Sequence, residues 1–164
     1  MTQHTPISIC FSVLFVALSP AAPGHAQAPK ADAVGLWIDH TGRGAVEISR
    51  CGSALCGHIV WLETLTDTKG KPLTDGYNPD QKLRNRPICG LQIIGNAKPV
   101  SSSTFDNGWI YDPEKGQRYD VEVKLASPNK LTVHGYLGLK FLGETYTWTR
   151  AQPGQAKCTV GDKV

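Results

Sequence analysis

The chain has 164 residues, is 40% apolar, and carries a formal charge of +3 from 17 basic and 14 acidic side chains. That length suffices for one hydrophobic core and little more. The modest positive balance is spread along the chain without a basic block, which argues against a nucleic-acid partner.

The N-terminus has the layout of a secretory signal peptide. Residues 1–4 are short and weakly basic. Residues 7–18 are apolar apart from small polar residues and Cys10, and small residues at Gly24, Ala26 and Ala28 follow. The run falls short of the roughly 20 apolar residues of a membrane span, and Pro20 and Pro23 argue against a buried helix. Cleavage after Ala26 is preferred over Ala28, which would leave Pro29 at the new terminus. Cys10 is then removed, and Ile7-Ser8-Ile9 before it lacks the small residues of a lipoprotein site. Residues 1–26 are expected to be a signal peptide and residues 27–164 a single exported, periplasmic β domain with no membrane span.

The first strand is predicted over residues 34–39, with Gly35-Leu36-Trp37 at its heart, followed by a turn at Thr41-Gly42-Arg43-Gly44. Residues 46–50 and 55–62 form a hairpin with Cys51 and Cys56 flanking its turn. Direct opposition of the cysteines across four residues pairs Ser49 with His58 and Glu47 with Val60 on one face. Arg50 with Gly57, Ile48 with Ile59, and Val46 with Trp61 then share the other. The apolar set goes inside, so the cysteines clip the turn from outside and Ile48, Ile59 and Trp61 face the core. Four cysteines remain after cleavage: Cys51, Cys56, Cys89 and Cys158. An even count in an exported chain reads as two structural disulfides, and Cys51–Cys56 with Cys89–Cys158 is the preferred pairing of three. The four-residue spacer differs from a redox motif, and no His/Cys cluster completes a zinc set.

Residues 66–86 are polar and loop-like. Asn78-Pro79 is predicted to open one short helical turn, with Asn78 as cap and Pro79 at the first helical position. Asp67, Asp75, Asn78 and Asp80 do not match the EF-hand spacing, and no metal is expected. A strand follows over residues 88–95 and another over 105–111. The latter ends in the turn Asp112-Pro113-Glu114-Lys115-Gly116, which Asp112 organises with its own side chain. Tyr119, Val121, Val123 and Leu125 alternate with Arg118, Asp120, Glu122 and Lys124, the pattern of a strand with one buried face. Ser127-Pro128-Asn129-Lys130 turns the chain into residues 131–137. A glycine-rich corner at 138–143 leads to the last strand, 144–150, and Cys158 ties down the tail.

About eight short strands and one helical turn make an all-β protein. A small antiparallel barrel is preferred over a sandwich, because closure removes aggregation-prone edges.

In order along the chain stand Gly35-Leu36-Trp37, Cys51-Gly52, Leu55-Cys56-Gly57, residues 83–87, Trp109-Ile110-Tyr111-Asp112-Pro113 and Trp148-Thr149-Arg150. This set resembles the DUF2147 family of small exported bacterial proteins of unknown function. The resemblance implies export and a lipocalin-like barrel, and brings no activity. A weaker likeness runs to lipocalins, whose Gly-x-Trp on the first strand and Arg on the last are matched by Gly35, Trp37 and Arg150. It implies that Arg150 packs on the Trp37 face, a structural role supported by cation–π attraction and backbone hydrogen bonds.

Catalysis finds little support. Ser49, His58 and Glu47 on an exposed sheet do not make an activated nucleophile, and no Gly-x-Ser-x-Gly elbow exists. Asp112 and Glu114 share a turn and not a cleft. No catalytic residue or cofactor is expected. The ligand-binding candidates are Trp37, Trp109, Tyr119, Tyr146 and Trp148, aromatics that can line a barrel, and Arg84 and Arg86, which can hold a carboxylate or an anionic ligand. The expected function is an exported binding or accessory protein of the cell envelope, holding a small apolar or amphipathic ligand or meeting an envelope protein. A structural or interaction module with a filled core and an apolar patch near 138–143 ranks second. A hydrolytic enzyme ranks last.

Overall fold

In the computed structural model, which describes Met1 and residues 32–158, the alternating strands bury their apolar faces by closing one sheet on itself. The strands are β1 (Gly35–Ile38), β2 (Gly44–Cys51), β3 (Ala54–Leu62), β4 (Gln92–Pro99), β5 (Thr104–Asp112), β6 (Gln117–Ser127), β7 (Lys130–Tyr136) and β8 (Glu144–Arg150). Each pairs antiparallel with its neighbour, and β8 closes on β1 through Trp37 opposite Arg150 and Ile38 opposite Thr149. Closure leaves no unpaired edge. The expected signal segment, with Cys10 and its cleavage positions, lies outside the described residues.

Pleating sends every second side chain inward. Trp37, Val46, Ile48, Leu55, Ile94, Val121, Val123, Leu131, Val133 and Trp148 meet there as one buried cluster. Val121 and Val123 occupy the centre of β6, while Tyr119 and Leu125 at either side are partly buried.

The β2–β3 hairpin is tighter than expected. Its turn is the pair Gly52-Ser53, with Cys51 opposite Ala54, Ser49 opposite Cys56 and Ile48 opposite Gly57. Gly52 has φ 67°, a backbone that favours glycine. The cysteines therefore sit diagonally and still bond, with Cα atoms 5.8 Å apart. The register moves by two residues, which preserves face, so Val46, Ile48 and Ile59 stay inside. Trp61 does not face the core: a bulge between Ala45 and Val46 reverses the alternation, Leu62 packs against the core, and Trp61 pairs with Ala45.

Two other segments differ from expectation. The fourth strand begins at Gln92 instead of residue 88. Ile88 and Leu91 are buried in the preceding connection, where Gly90 N–H donates to Ile59 O (2.7 Å) and Ile59 N–H to Leu91 O (2.9 Å). The helical turn is the 3₁₀ segment Gln81–Leu83, capped by Asp80, whose carboxylate accepts from Lys82 N–H. Asn78 accepts from Asp80 N–H instead of capping a helix, and Pro79 stands outside it. A second 3₁₀ turn, Lys140–Leu142, lies within the glycine-rich corner.

The strands run alternately up and down, so the barrel has two unlike ends. The tight end holds the approach to β1 and the short β2–β3, β4–β5 and β6–β7 connections. The loop end holds the β1–β2, β5–β6 and β7–β8 connections and the long β3–β4 loop, residues 63–91. The second disulfide, Cys89–Cys158, fastens the C-terminal tail to that long loop.

Candidate functional site

The tight end is sealed. Trp37 is fully buried, and its indole N–H donates to Ala33 O at 2.8 Å. The Arg150 guanidinium lies 4.1 Å from its ring centroid. Arg150 donates from Nε to Pro128 O (2.6 Å), from Nη1 to Val34 O (3.2 Å) and from Nη2 to Asp32 O (2.7 Å). Gly35 makes room for this: it has φ 141°, and a Cβ there would collide with Arg150 Nη1.

At the loop end a polar clamp holds residues 63–91 against the barrel. Asp75 is fully buried, yet its carboxylate is well satisfied. It accepts from Tyr111 Oη (2.7 Å), Asn78 Nδ2 (2.7 Å), Arg86 Nε (2.8 Å) and Arg86 Nη2 (2.7 Å). Asn78 Nδ2 also reaches Tyr111 Oη at 3.1 Å, and Arg84 Nε donates to Asn78 O at 2.8 Å. Burial, and then the bond to Asp75, push the Tyr111 phenol above its ordinary range. A buried charge needs such a complete set of donors. Gly116 in the β5–β6 turn lets the Tyr77 backbone approach so closely that a Cβ would strike its carbonyl.

The inward-facing side chains nearest the loop end form the mouth of the barrel. A Cβ at Gly135 would stand 3.6 Å from Ile110 Cγ2 and 3.9 Å from Tyr119 Cβ, so these three lie side by side on the inner wall of β5–β7. Ile110, Tyr119, Tyr146 and Leu62 are only partly buried, whereas Val121, Val133, Ile94 and Trp148 are buried. Exposure of the inward-facing side chains thus rises from Trp148 towards Tyr146, Tyr119 and Ile110. The rim is polar: Tyr146 Oη donates to the Glu144 carboxylate, His40 stacks on Tyr146 at 4.1 Å between centroids, and Tyr119 Oη donates to Gln117 Oε1 at 3.1 Å. Hydrogen bonding to Glu144, and then burial, raise the Tyr146 phenol, which keeps it a neutral donor. Apolar walls under a hydroxyl-bearing rim suit a molecule with an apolar body and a polar head.

A shallow groove of about 460 Å³ lies on the outer face of β6–β8, lined by Glu122, Thr132, His134, Lys140, Phe141 and Thr145. It brings a histidine, a hydroxyl and a carboxylate together. His134 Nδ1 is 2.8 Å from Thr145 Oγ1, and Nε2 is 2.7 Å from Lys140 O. Lys140 Nζ bonds both Asp106 (2.6 Å) and Glu122 (2.5 Å), and these bonds hold its pKa well above the ordinary lysine value. Thr132 Oγ1 donates to Lys124 O. These polar groups bond one another, so the cluster fastens the β7–β8 loop to the barrel.

The sequence candidates scatter over these places. Tyr119 and Tyr146 stand at the mouth. Trp148 forms its buried floor, and Trp37 seals the far end. Trp109 lies on the outer face, stacked over Gly95 and under Arg118 at 4.3 Å. Arg84 and Arg86 belong to the clamp, and Asp112 accepts from Glu114 and Lys115 N–H in its turn. Asp67 and Asp80 cap their own turns, and among the described residues no group of three metal-ligating side chains converges. Sequence reasoning missed Ile110 and Gly135, whose shared inward direction needs the ladder register. It also missed the Asp106–Lys140–Glu122 set.

An eight-stranded antiparallel barrel with a Trp–Arg seal at one end has a lipocalin-like fold. The chain belongs to the family described as "Uncharacterized protein conserved in bacteria (DUF2147)", matched over residues 35–150. Among solved structures it is similar to protein HP1028 from the human pathogen Helicobacter pylori, described as belonging to the lipocalin family. The two share 22% identity over 76% of this chain and 86% of that one, with a TM-score of 0.65. This likeness speaks for the fold alone. No curated protein matches the chain.

Proposed function

We propose that the protein is an exported binding protein of the bacterial cell envelope that takes the apolar part of a small amphipathic molecule into the loop-end mouth. The observation that carries this reading is the partly exposed inner wall of Ile110, Tyr119 and Tyr146 above the buried Trp148. The Tyr119 and Tyr146 hydroxyls at the rim would meet the polar head. The signal-like N-terminus and two disulfides support an oxidising compartment, the periplasm. Native mass spectrometry of protein purified from its own envelope tests the reading. A retained adduct of lipid or fatty-acid mass, released by denaturation, is expected. Bare protein that also fails to take up long-chain amphiphiles added at micromolar concentration would overturn it.

A second reading, an interaction module, is favoured by the exposed apolar side chains of residues 137–142. Co-purification of one envelope protein at a fixed ratio, with the mouth empty, would select it.

A further inference from the structure

The β7–β8 connection, Leu137-Gly138-Leu139-Lys140-Phe141-Leu142-Gly143, exposes all four of its large apolar residues, Phe141 by 79% and Leu142 by 69%. Single exposed apolar residues are ordinary, but four together on one short loop are not. Tyr77 and Leu83, from the long loop, are exposed at the same end.

The loop is built to present that tip. Its single charged residue, Lys140, turns back onto the barrel and is held by Asp106 and Glu122. Tyr136 Oη donates to the same Asp106 at 3.2 Å, and His134 fastens the Lys140 carbonyl. Three backbone bonds shape the loop: Leu139 N–H to Leu137 O (2.8 Å), Leu142 N–H to Leu139 O (3.0 Å) and Gly143 N–H to Lys140 O (3.1 Å). The outermost surface thus carries apolar side chains, and its single charge is already paired.

We infer that the β7–β8 loop is a docking tip that inserts into the surface of a phospholipid bilayer. An apolar phase requires charges to be neutralised, and the loop's one charge is paired with two carboxylates. A protein partner sets no such requirement, and the four side chains of this short loop offer far less than the roughly 800 Å² per partner of a stable protein interface. Because Lys140 is already paired, attachment draws on apolar burial and not on attraction to anionic headgroups. The inference holds whether or not the barrel carries a ligand.

The test uses protein purified after export, its N-terminus read by mass spectrometry, in flotation with phosphatidylethanolamine–phosphatidylglycerol vesicles. Wild-type protein is expected to float, with affinity changed less than about threefold on going to high salt. Leu139→Ser/Phe141→Ser/Leu142→Ser is expected to partition about fiftyfold more weakly. In a separate variant, Phe141→Trp, the new indole emission should shift to the blue on vesicles. Failure of the wild type to float at millimolar lipid, equal flotation of the triple variant, or loss of flotation in salt would each overturn the inference. A solution dimer that the triple variant dissociates would also overturn it, because a second copy would then be the occupant.

Discussion

Arg150 and Trp37 stand directly opposite each other where β8 closes on β1, with the guanidinium 4.1 Å from the indole centroid. Three backbone carbonyls, from Asp32, Val34 and Pro128, converge on that one side chain. The seam of the barrel and its sealed end are therefore the same structure.

Arg150→Ala should destabilise the protein by about 2–3 kcal/mol, and Arg150→Lys should not restore it, since a single ammonium cannot reach three divergent carbonyls. Gly35→Ala should cost about 2–4 kcal/mol through its positive φ and the clash with Nη1. In the Arg150→Ala background the clash is gone, so the double variant should lose less than the sum. Urea unfolding of the four proteins measures the coupling.

Tyr111 predicts an alkaline dependence. Burial and Asp75 raise its phenol above the ordinary value of 10.0. The unfolded chain releases that proton first, so the contribution is complete below pH 10 and fades as pH rises through the folded value. Tyr111→Phe should be about 1–2 kcal/mol less stable near neutral pH. The gap should narrow as pH rises above 10. Urea midpoints across this range check it. A constant gap would mean that the hydroxyl contributes by packing alone.

The two disulfides should differ in weight. Cys89–Cys158 spans 69 residues and Cys51–Cys56 only 5. Loop-closure entropy assigns roughly 4 and roughly 2 kcal/mol respectively. Cys89→Ser/Cys158→Ser should therefore unfold at lower urea than Cys51→Ser/Cys56→Ser, and the released tail should be cut first in limited proteolysis.

Gly135→Leu tests the mouth. A Cβ fits there at ordinary contact distance from Ile110 and Tyr119, and a longer side chain would occupy the space above Trp148. The variant should keep wild-type stability within about 1 kcal/mol. It should also lose the adduct in native mass spectrometry. Retention of the adduct at wild-type level would place any ligand elsewhere.

Legibility followed the range of the interaction. The alternation of Val121 and Val123, the inward face of β2 and both cysteine pairs were readable, because strand periodicity and an even cysteine count are local or compositional properties. The hairpin turn was misplaced by one residue on each strand, yet its inner face survived, because a shift of two in register keeps parity. Trp61 went the other way because one bulge reverses parity and leaves no mark in the alternation. The mouth was half legible: Tyr119 and Tyr146 stood out as aromatics, but Ile110 and Gly135 look like ordinary strand residues.

The sequence by itself determined a two-faced β chain and, through the family likeness it carries, the Gly35, Trp37 and Arg150 positions that seal one end. Period-2 alternation must bury one face of every strand, and without helices those faces must cover one another in a sandwich or a closed barrel. Only the tertiary structure decided what the polar residues do. Asp75 finds Tyr111 36 residues away, and Lys140 finds Asp106 34 residues away and Glu122 18 away. Isolated in the sequence, each reads as a solvated surface charge. Their partners arrive only when the barrel closes, and it is closure that turns one set into a clamp and the other into the base of an apolar tip.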